Sequence, residues 1–364
     1  MSPGIETASL LSERDGNRLL RAIQADVPFV ERPFAAIAEP LGLSERAVLE
    51  QLRDWSERML LREISAVLEG AALGYDSALA TGVVPDAELD RAVEVVNAHP
   101  TVTHNYLRNH GYNLWFTVAV PREMNLEDTL KFLAQESGVD GFHALRRNRT
   151  FKIGVNFDPE TLTNRTQALR PKAIEPIEVS PRDAQLFRVI QTPLPLVARP
   201  FRELAQRARV EPEELLAFAR RHRGAAIRRY VGTLRHRKLG VRENGMAVWR
   251  VPEAGIDEAG LRLANTPEVS HCYARNAVEG FAYTLYSMIH GPDRDHCREV
   301  AARLARETGY GDYAVLFSEQ EFKKVRLRYF LPELDAWWAA RTGGATASPG
   351  DFAPAPEPGS GSPP

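Results

Sequence analysis

The sequence predicts an α+β chain of two tandem modules, each a winged helix-turn-helix followed by a ferredoxin-like βαββαβ domain. Three observations predict it. The chain repeats itself at a nearly constant offset. The first repeat opens on three helical stretches arranged around a glycine turn. Strand and helix signals then follow in the order β, α, β, β, α, β.

The repeat is read residue against residue. Leu20-Arg21-Ala22-Ile23-Gln24 matches Arg188-Val189-Ile190-Gln191, and Arg32-Pro33-Phe34 matches Arg199-Pro200-Phe201. Val102-Thr103-His104-Asn105-Tyr106-Leu107-Arg108 matches Val269-Ser270-His271-Cys272-Tyr273-Ala274-Arg275, 167 residues on. Tyr112-Asn113-Leu114-Trp115 matches Tyr283-Thr284-Leu285-Tyr286 and Phe151-Lys152 matches Phe322-Lys323, both at an offset of 171, so the turn after the second His-x-Tyr-x-Arg copy is four residues longer.

Residues 12–26 carry a helical stripe through Leu19, Leu20 and Ile23, with Ser12 as N-cap. Pro33 opens a short helix holding Phe34, Ile37 and Ala38. Leu41-Gly42-Leu43-Ser44 forms the turn, and Ser44 caps a third helix through Val48, Leu49, Leu52 and Trp55. Residues 60–68 read as a wing strand. A strand near 78–84 follows, then a helix from Pro85 with Leu89, Val93 and Val96 on one face. The motif strand spans 101–109, a β-branched and aromatic strand 112–120, a helix 126–137 and a last strand 141–157. The resulting domains are 12–70, 76–157, 183–240 and 245–331. A proline-bearing linker at 158–182 separates the modules, and the Gly/Pro/Ala/Ser tail at 342–364 is expected to be disordered. The second helix-turn-helix is degraded, with Ala208-Arg209-Val210-Glu211 at the glycine turn.

Apolar residues at 44% and charged residues at 26% are ordinary for a globular protein. A net charge of −2 argues against a dominant non-specific DNA term. Two cysteines, Cys272 and Cys297, give neither a disulfide framework nor a cysteine zinc site, so the cytoplasm is the expected compartment. No apolar run approaches a membrane span and no signal peptide is expected.

The chemistry gathers on the motif strands. Residues two apart share a strand face, so His104, Tyr106 and Arg108 form one wall and His271, Tyr273 and Arg275 another. A lone strand histidine is more often structural than catalytic, and duplication copies structural constraints too. An arginine facing a core is costly unless paired, whereas a cavity receiving anions removes that objection. The last strands carry Arg146, Arg147, Arg149 and Lys152, and Lys323, Lys324, Arg326 and Arg328. They read either as solvated edges or as a basic rim for a polyanion. The helix-turn-helix could read DNA, but its third helix mixes Arg46, Arg53 and Arg58 with Glu45, Glu50, Asp54 and Glu57, and its counterpart begins Glu211-Pro212-Glu213-Glu214. A structural or oligomerisation role fits better. Metal binding by His290 and His296 has no third partner in the sequence.

The helix-turn-helix with βαββαβ resembles the Lrp/AsnC regulators. Val102-Thr103-His104-Asn105-Tyr106-Leu107-Arg108, Tyr112-Asn113-Leu114-Trp115-Phe116-Thr117, Phe151-Lys152-Ile153-Gly154-Val155, Ile289-His290-Gly291 and Glu321-Phe322-Lys323-Lys324-Val325-Arg326 resemble the siroheme decarboxylases, in the form where two related subunits are fused. Thr284 departs from the family's asparagine. The resemblance implies removal of two acetate carboxyl groups from siroheme, with His104 and His271 catalytic. It implies substrate contacts from Tyr106, Arg108, Asn113, Trp115, Arg149, Lys152, Tyr273, Arg275, Tyr283, His290, Lys323 and Arg326. The chain would need no cofactor of its own, because the iron comes with the substrate; His290 or His271 would be the candidate ligand of that iron. Expected partners are siroheme and didecarboxysiroheme, a second copy of the chain and other heme d1 pathway proteins, with neither DNA nor a membrane. A ligand-sensing regulator and a tetrapyrrole carrier are the competing readings.

Overall fold

A computed structural model describes residues 10–153, 174–234 and 243–343. Most of the expected linker and nearly all of the expected disordered tail lie outside the described residues.

Module one begins with α1 (Glu13–Ala25), α2 (Pro33–Leu41), α3 (Glu45–Glu57) and β1 (Leu61–Leu68). Ser12 and Ser44 cap α1 and α3 by accepting from Asp15 N and Ala47 N. Gly42 closes α2 at φ 69°, and Arg209 adopts the same left-handed conformation at φ 51° in module two, so the degraded turn keeps its shape. The second set is α6 (Pro181–Ile190), α7 (Pro200–Ala208), α8 (Pro212–His222) and β6 (Ile227–Leu234). β1 and β6 pair antiparallel into a two-stranded ribbon, which joins the two helical sets. Phe29, Phe201 and Tyr230 pack together across that junction.

The arginines of the third helices have partners on the protein itself, although the Arg46 side chain stays largely exposed. Arg53 donates twice to the Leu196 carbonyl, and Arg46 and Arg58 pair with Glu50 and Asp54 on their own helix. From module two, Arg220 donates to Phe29 O and Arg223 pairs with Asp26. Arg53, Arg220 and Arg223 thus tie one helical set to the other.

The ferredoxin-like part of module one comprises β2 (Tyr75–Gly82), α4 (Leu89–Ala98), β3 (His104–Arg108), β4 (Leu114–Pro121), α5 (Leu126–Ser137) and β5 (His143–Lys152). Module two supplies β7 (Glu243–Trp249), α9 (Ile256–Ala264), β8 (Val269–Arg275), β9 (Leu285–Gly291), α10 (Arg294–Thr308) and β10 (Tyr313–Lys324). The two four-stranded sheets fuse into one closed barrel of order β10-β3-β4-β2-β5-β8-β9-β7. Each closure joins the last strand of one module to the motif strand of the other: β10 to β3 and β5 to β8. Each of those junctions carries two register shifts, the bulges that bend a sheet into closure.

Helices pack outside the barrel. Gly260 on α9 is where Phe151 approaches, since a Cβ there would meet its ring at 2.4 Å. Inside, Trp115, Leu145, Met246, Val248, Tyr286, Leu316 and Phe281 form an apolar filling. Phe281 lies in the lengthened turn and packs against both Trp115 and Tyr112, so those extra residues close one end of the barrel. A last helix, α11 (Pro332–Thr342), was not read from the sequence. It lays Trp337 against His99 and clamps Glu136 with Arg341.

Candidate active site in the shared barrel

Strand alternation places the motif side chains as expected. On β3, Asn105 turns outward to Asn97, while His104, Tyr106 and Arg108 share the inner face. β8 repeats the pattern with His271, Tyr273 and Arg275. The wall runs roughly 13 Å from histidine to arginine at the ordinary strand rise. The histidine end lies toward the ribbon, because β2 leaves the ribbon at Tyr75 and His104 sits level with Leu79 through Thr117.

Arg108 is 6% exposed and donates from Nη1 to Leu316 O at 3.0 Å. Arg275 donates from Nη1 to Leu145 O at 2.7 Å. Both guanidiniums stack near a tyrosine, at 5.4 Å from the Tyr106 ring and 5.3 Å from the Tyr273 ring. Neither Nε has a hydrogen-bond partner among the described residues. Burial lowers both pKa values to about 10, and no carboxylate offsets it. Among the described residues neither guanidinium has a carboxylate partner, so each keeps hydrogen-bonding capacity to spare.

The histidines differ in their support. Thr103 Oγ1 lies 3.0 Å from His104 Nδ1 and 2.8 Å from Thr117 Oγ1. Ser270 Oγ lies 2.8 Å from His271 Nδ1 and 2.6 Å from His290 Nε2. A serine hydroxyl has one proton, so it donates to one ring and accepts from the other. Coordination of a substrate iron through His290 Nε2 would have to break that contact. Burial, before any neighbouring charge, lowers His104 to about 4 and His271 to about 3. Both imidazoles are therefore neutral at neutral pH.

Several expected substrate contacts take other roles. Asn113 Oδ1 accepts from Val84 N and its Nδ2 donates to Val84 O, which pins the chain after β2. Thr284 does the same with one hydroxyl, accepting from Val251 N and donating to Val251 O, so the departure from asparagine preserves the function. Trp115 is fully buried in the filling and donates to Tyr112 O. Tyr283 packs on Phe281 at the closed end. Arg149 pairs with Glu253 and Asp257 near the start of α9, outside the barrel. Lys152 donates to Thr266 O past the end of α9, and Lys323 donates to Asn97 O and His99 O at the end of α4. The bulges in β5 and β10 turn these residues to the helix side, where each serves a helix of the other module. Arg326 donates to Glu63 and to Ala66 O on the ribbon. Among the described residues no group of three or more His, Cys, Asp or Glu is placed to hold a metal, so His290 and His296 gain no third ligand.

Arg147 was not singled out as a site residue from the sequence. It lies before the β5 bulge, packs over Tyr273 at 5.8 Å and reaches Glu69 at 3.8 Å. Its strand parity with Leu145, an interior residue, was the available signal.

A family model described as the NirDL-like helix-turn-helix domain of siroheme decarboxylase matches residues 17–62 and 183–228, and one described as an AsnC-like ligand binding domain matches 72–152 and 238–323. The chain is 38% identical to the siroheme decarboxylase of Hydrogenobacter thermophilus, over 88% of this chain and 97% of the relative. It is 36% identical to the siroheme decarboxylase NirDL subunit of Paracoccus pantotrophus, over 84% and 94%. A crystal structure of the siroheme decarboxylase NirDL superposes with a TM-score of 0.76 at 34% identity, covering 90% of this chain and 97% of that one. A second, in complex with an iron-uroporphyrin III analogue, gives 0.75 at 33% identity, covering 89% and 97%.

Proposed function

The chain belongs to the siroheme decarboxylase family, and on that premise we propose that it is a carboxy-lyase removing two acetate carboxyl groups of siroheme to give didecarboxysiroheme in heme d1 biosynthesis. The observation that carries this reading is the doubled His-Tyr-Arg wall, ending in Arg108 and Arg275, neither of which has a carboxylate partner among the described residues.

Arg108 and Arg275 take substrate carboxylates at the deep end, and Tyr106 and Tyr273 pack on the ring. Breaking the bond to a departing carbon dioxide leaves an electron pair on the acetate methylene, which the conjugated macrocycle stabilises. A proton must then reach that carbon to form the methyl group. His104 and His271 deliver it as general acids. They are neutral at neutral pH, and a neighbouring polycarboxylate favours the imidazolium, so substrate binding itself loads the donor. The macrocycle is the electron sink, so the reaction requires no separate redox cofactor. Two buried free cysteines suit a reducing compartment, and the cytoplasm is the one we propose. No helix among the described residues is long and apolar enough to cross a membrane.

The test is anaerobic incubation of the full chain with siroheme, followed by mass measurement of the pigment. Loss of two carbon dioxide units is the expected result. Siroheme returned unchanged but bound would leave a carrier or sensor. His104→Ala and His271→Ala test the roles separately, and full turnover in both variants overturns the acid assignment.

A further inference from the structure

The ribbon that joins the two helix-turn-helix sets also faces the motif histidines. Val67 pairs with Arg229 and Leu68 with Ile227, so the register shifts at Arg228. Neighbouring strand residues normally point to opposite faces, but the extra residue of a bulge lets two in succession share one. Arg228 and Arg229 both act on His271, and Arg62 from β1 acts on His104. Glu69, just past β1, sits 3.8 Å from Arg228 and 3.8 Å from Arg147, the arginine stacked on Tyr273. One carboxylate thus bridges ribbon and barrel. Arg228 Nε has no hydrogen-bond partner among the described residues. Arg229 is partly buried, and its charged neighbours are the further arginines Arg228 and Arg326. Among the described residues it has no acid partner.

We propose that the wing of the second helix-turn-helix is a carboxylate-binding wall of the active site, in which Arg228 and Arg229 bind peripheral carboxylates of a polycarboxylated tetrapyrrole and Glu69 holds the place at Arg228 until it arrives. This rests on the siroheme reading and extends it to the wing of a helix-turn-helix. A planar guanidinium takes a carboxylate through two parallel hydrogen bonds, which suits a ligand ringed by acids. Glu69 competes for Arg228, so its removal and the loss of the arginines act in opposite directions.

The experiment titrates the full chain with metal-free uroporphyrin, an octacarboxylate, and with coproporphyrin, a tetracarboxylate, following the pigment's absorbance. Arg228→Gln with Arg229→Gln is expected to weaken uroporphyrin binding by about 10-fold or more and to bring its preference over coproporphyrin toward unity. Glu69→Gln is expected to tighten uroporphyrin binding several-fold, which a damaged fold would not do. An unchanged preference in the arginine variant, or weaker binding in Glu69→Gln, overturns the proposal. Turnover of siroheme by the unaltered chain is measured alongside. Its absence counts against the decarboxylase reading, whereas porphyrin preference reports on the wing alone.

Discussion

Arg275 of the second module donates to the carbonyl of Leu145 in the first, at 2.7 Å, and Arg108 of the first donates to Leu316 of the second, at 3.0 Å. Each module positions the other's buried cation. A carbonyl is a dipole and offsets only part of a full charge, so each arginine keeps an electrostatic cost that a ligand carboxylate relieves. Arg275→Met should leave thermal stability unchanged or raised while uroporphyrin affinity falls about 10- to 100-fold, the range for a hydrogen bond to a charged group. A parallel loss of melting temperature and affinity would show the arginine to be structural.

Acid should destabilise the fold through its buried histidines. Burial first, and then Lys323 and Arg341, lowers His99 to about 3, while burial lowers His104 to about 4 and His271 to about 3. A histidine held neutral when folded gains its proton in the unfolded chain first as pH falls. Stability is therefore full above about 6.5 and drains away toward the folded values. His99 has 0% exposure, and between pH 6.5 and 5 it contributes a loss of roughly 2 kcal/mol. Urea midpoints at pH 7.5 and 5 should differ less in His99→Leu than in the unaltered chain, and equal differences would remove His99 from this account.

Much of this was legible in the sequence. The repeat, the three-helix units and the inward face of His104, Tyr106 and Arg108 follow from offsets, caps and the period of two. Closure of the barrel was not, because β5 meets β8 and β10 meets β3 across the module boundary. The bulges were equally hidden, and they decide which basic residue faces which way: Arg147 stays inside, while Arg149 and Lys152 turn to the helices. The same kind of irregularity sits at Arg228 in the ribbon, where simple alternation no longer assigns the faces. The helix α11 buries only Leu334 and Trp337, too sparse a stripe to signal a helix.

Lys152 and Lys323 should matter for stability and not for substrate. Each caps the carbonyl end of a helix in the opposite module, where a cation also meets the negative pole of the helix dipole. Lys152→Ala and Lys323→Ala should each cost about 1–3 kcal/mol in urea unfolding, with the siroheme KM unchanged. A raised KM with intact stability would return these lysines to the binding site.

Asn113 and Thr284 perform one task with different chemistry. Asn113 offers an amide donor and acceptor to Val84, and Thr284 offers a hydroxyl that both accepts from and donates to Val251. Both tie the chain just beyond the first strand of a module to the start of its third. Thr284→Val keeps the shape and removes both hydrogen bonds, leaving a backbone N–H and C=O short of a partner, so unfolding should become easier by about 2 kcal/mol. Asn113→Ala should cost a similar amount. Uroporphyrin affinity should hold in both variants at a temperature where they are folded, because both side chains are committed to holding the backbone. Weaker pigment binding in folded Asn113→Ala, with Thr284→Val unaffected, would instead make Asn113 a substrate contact and the two modules unequal.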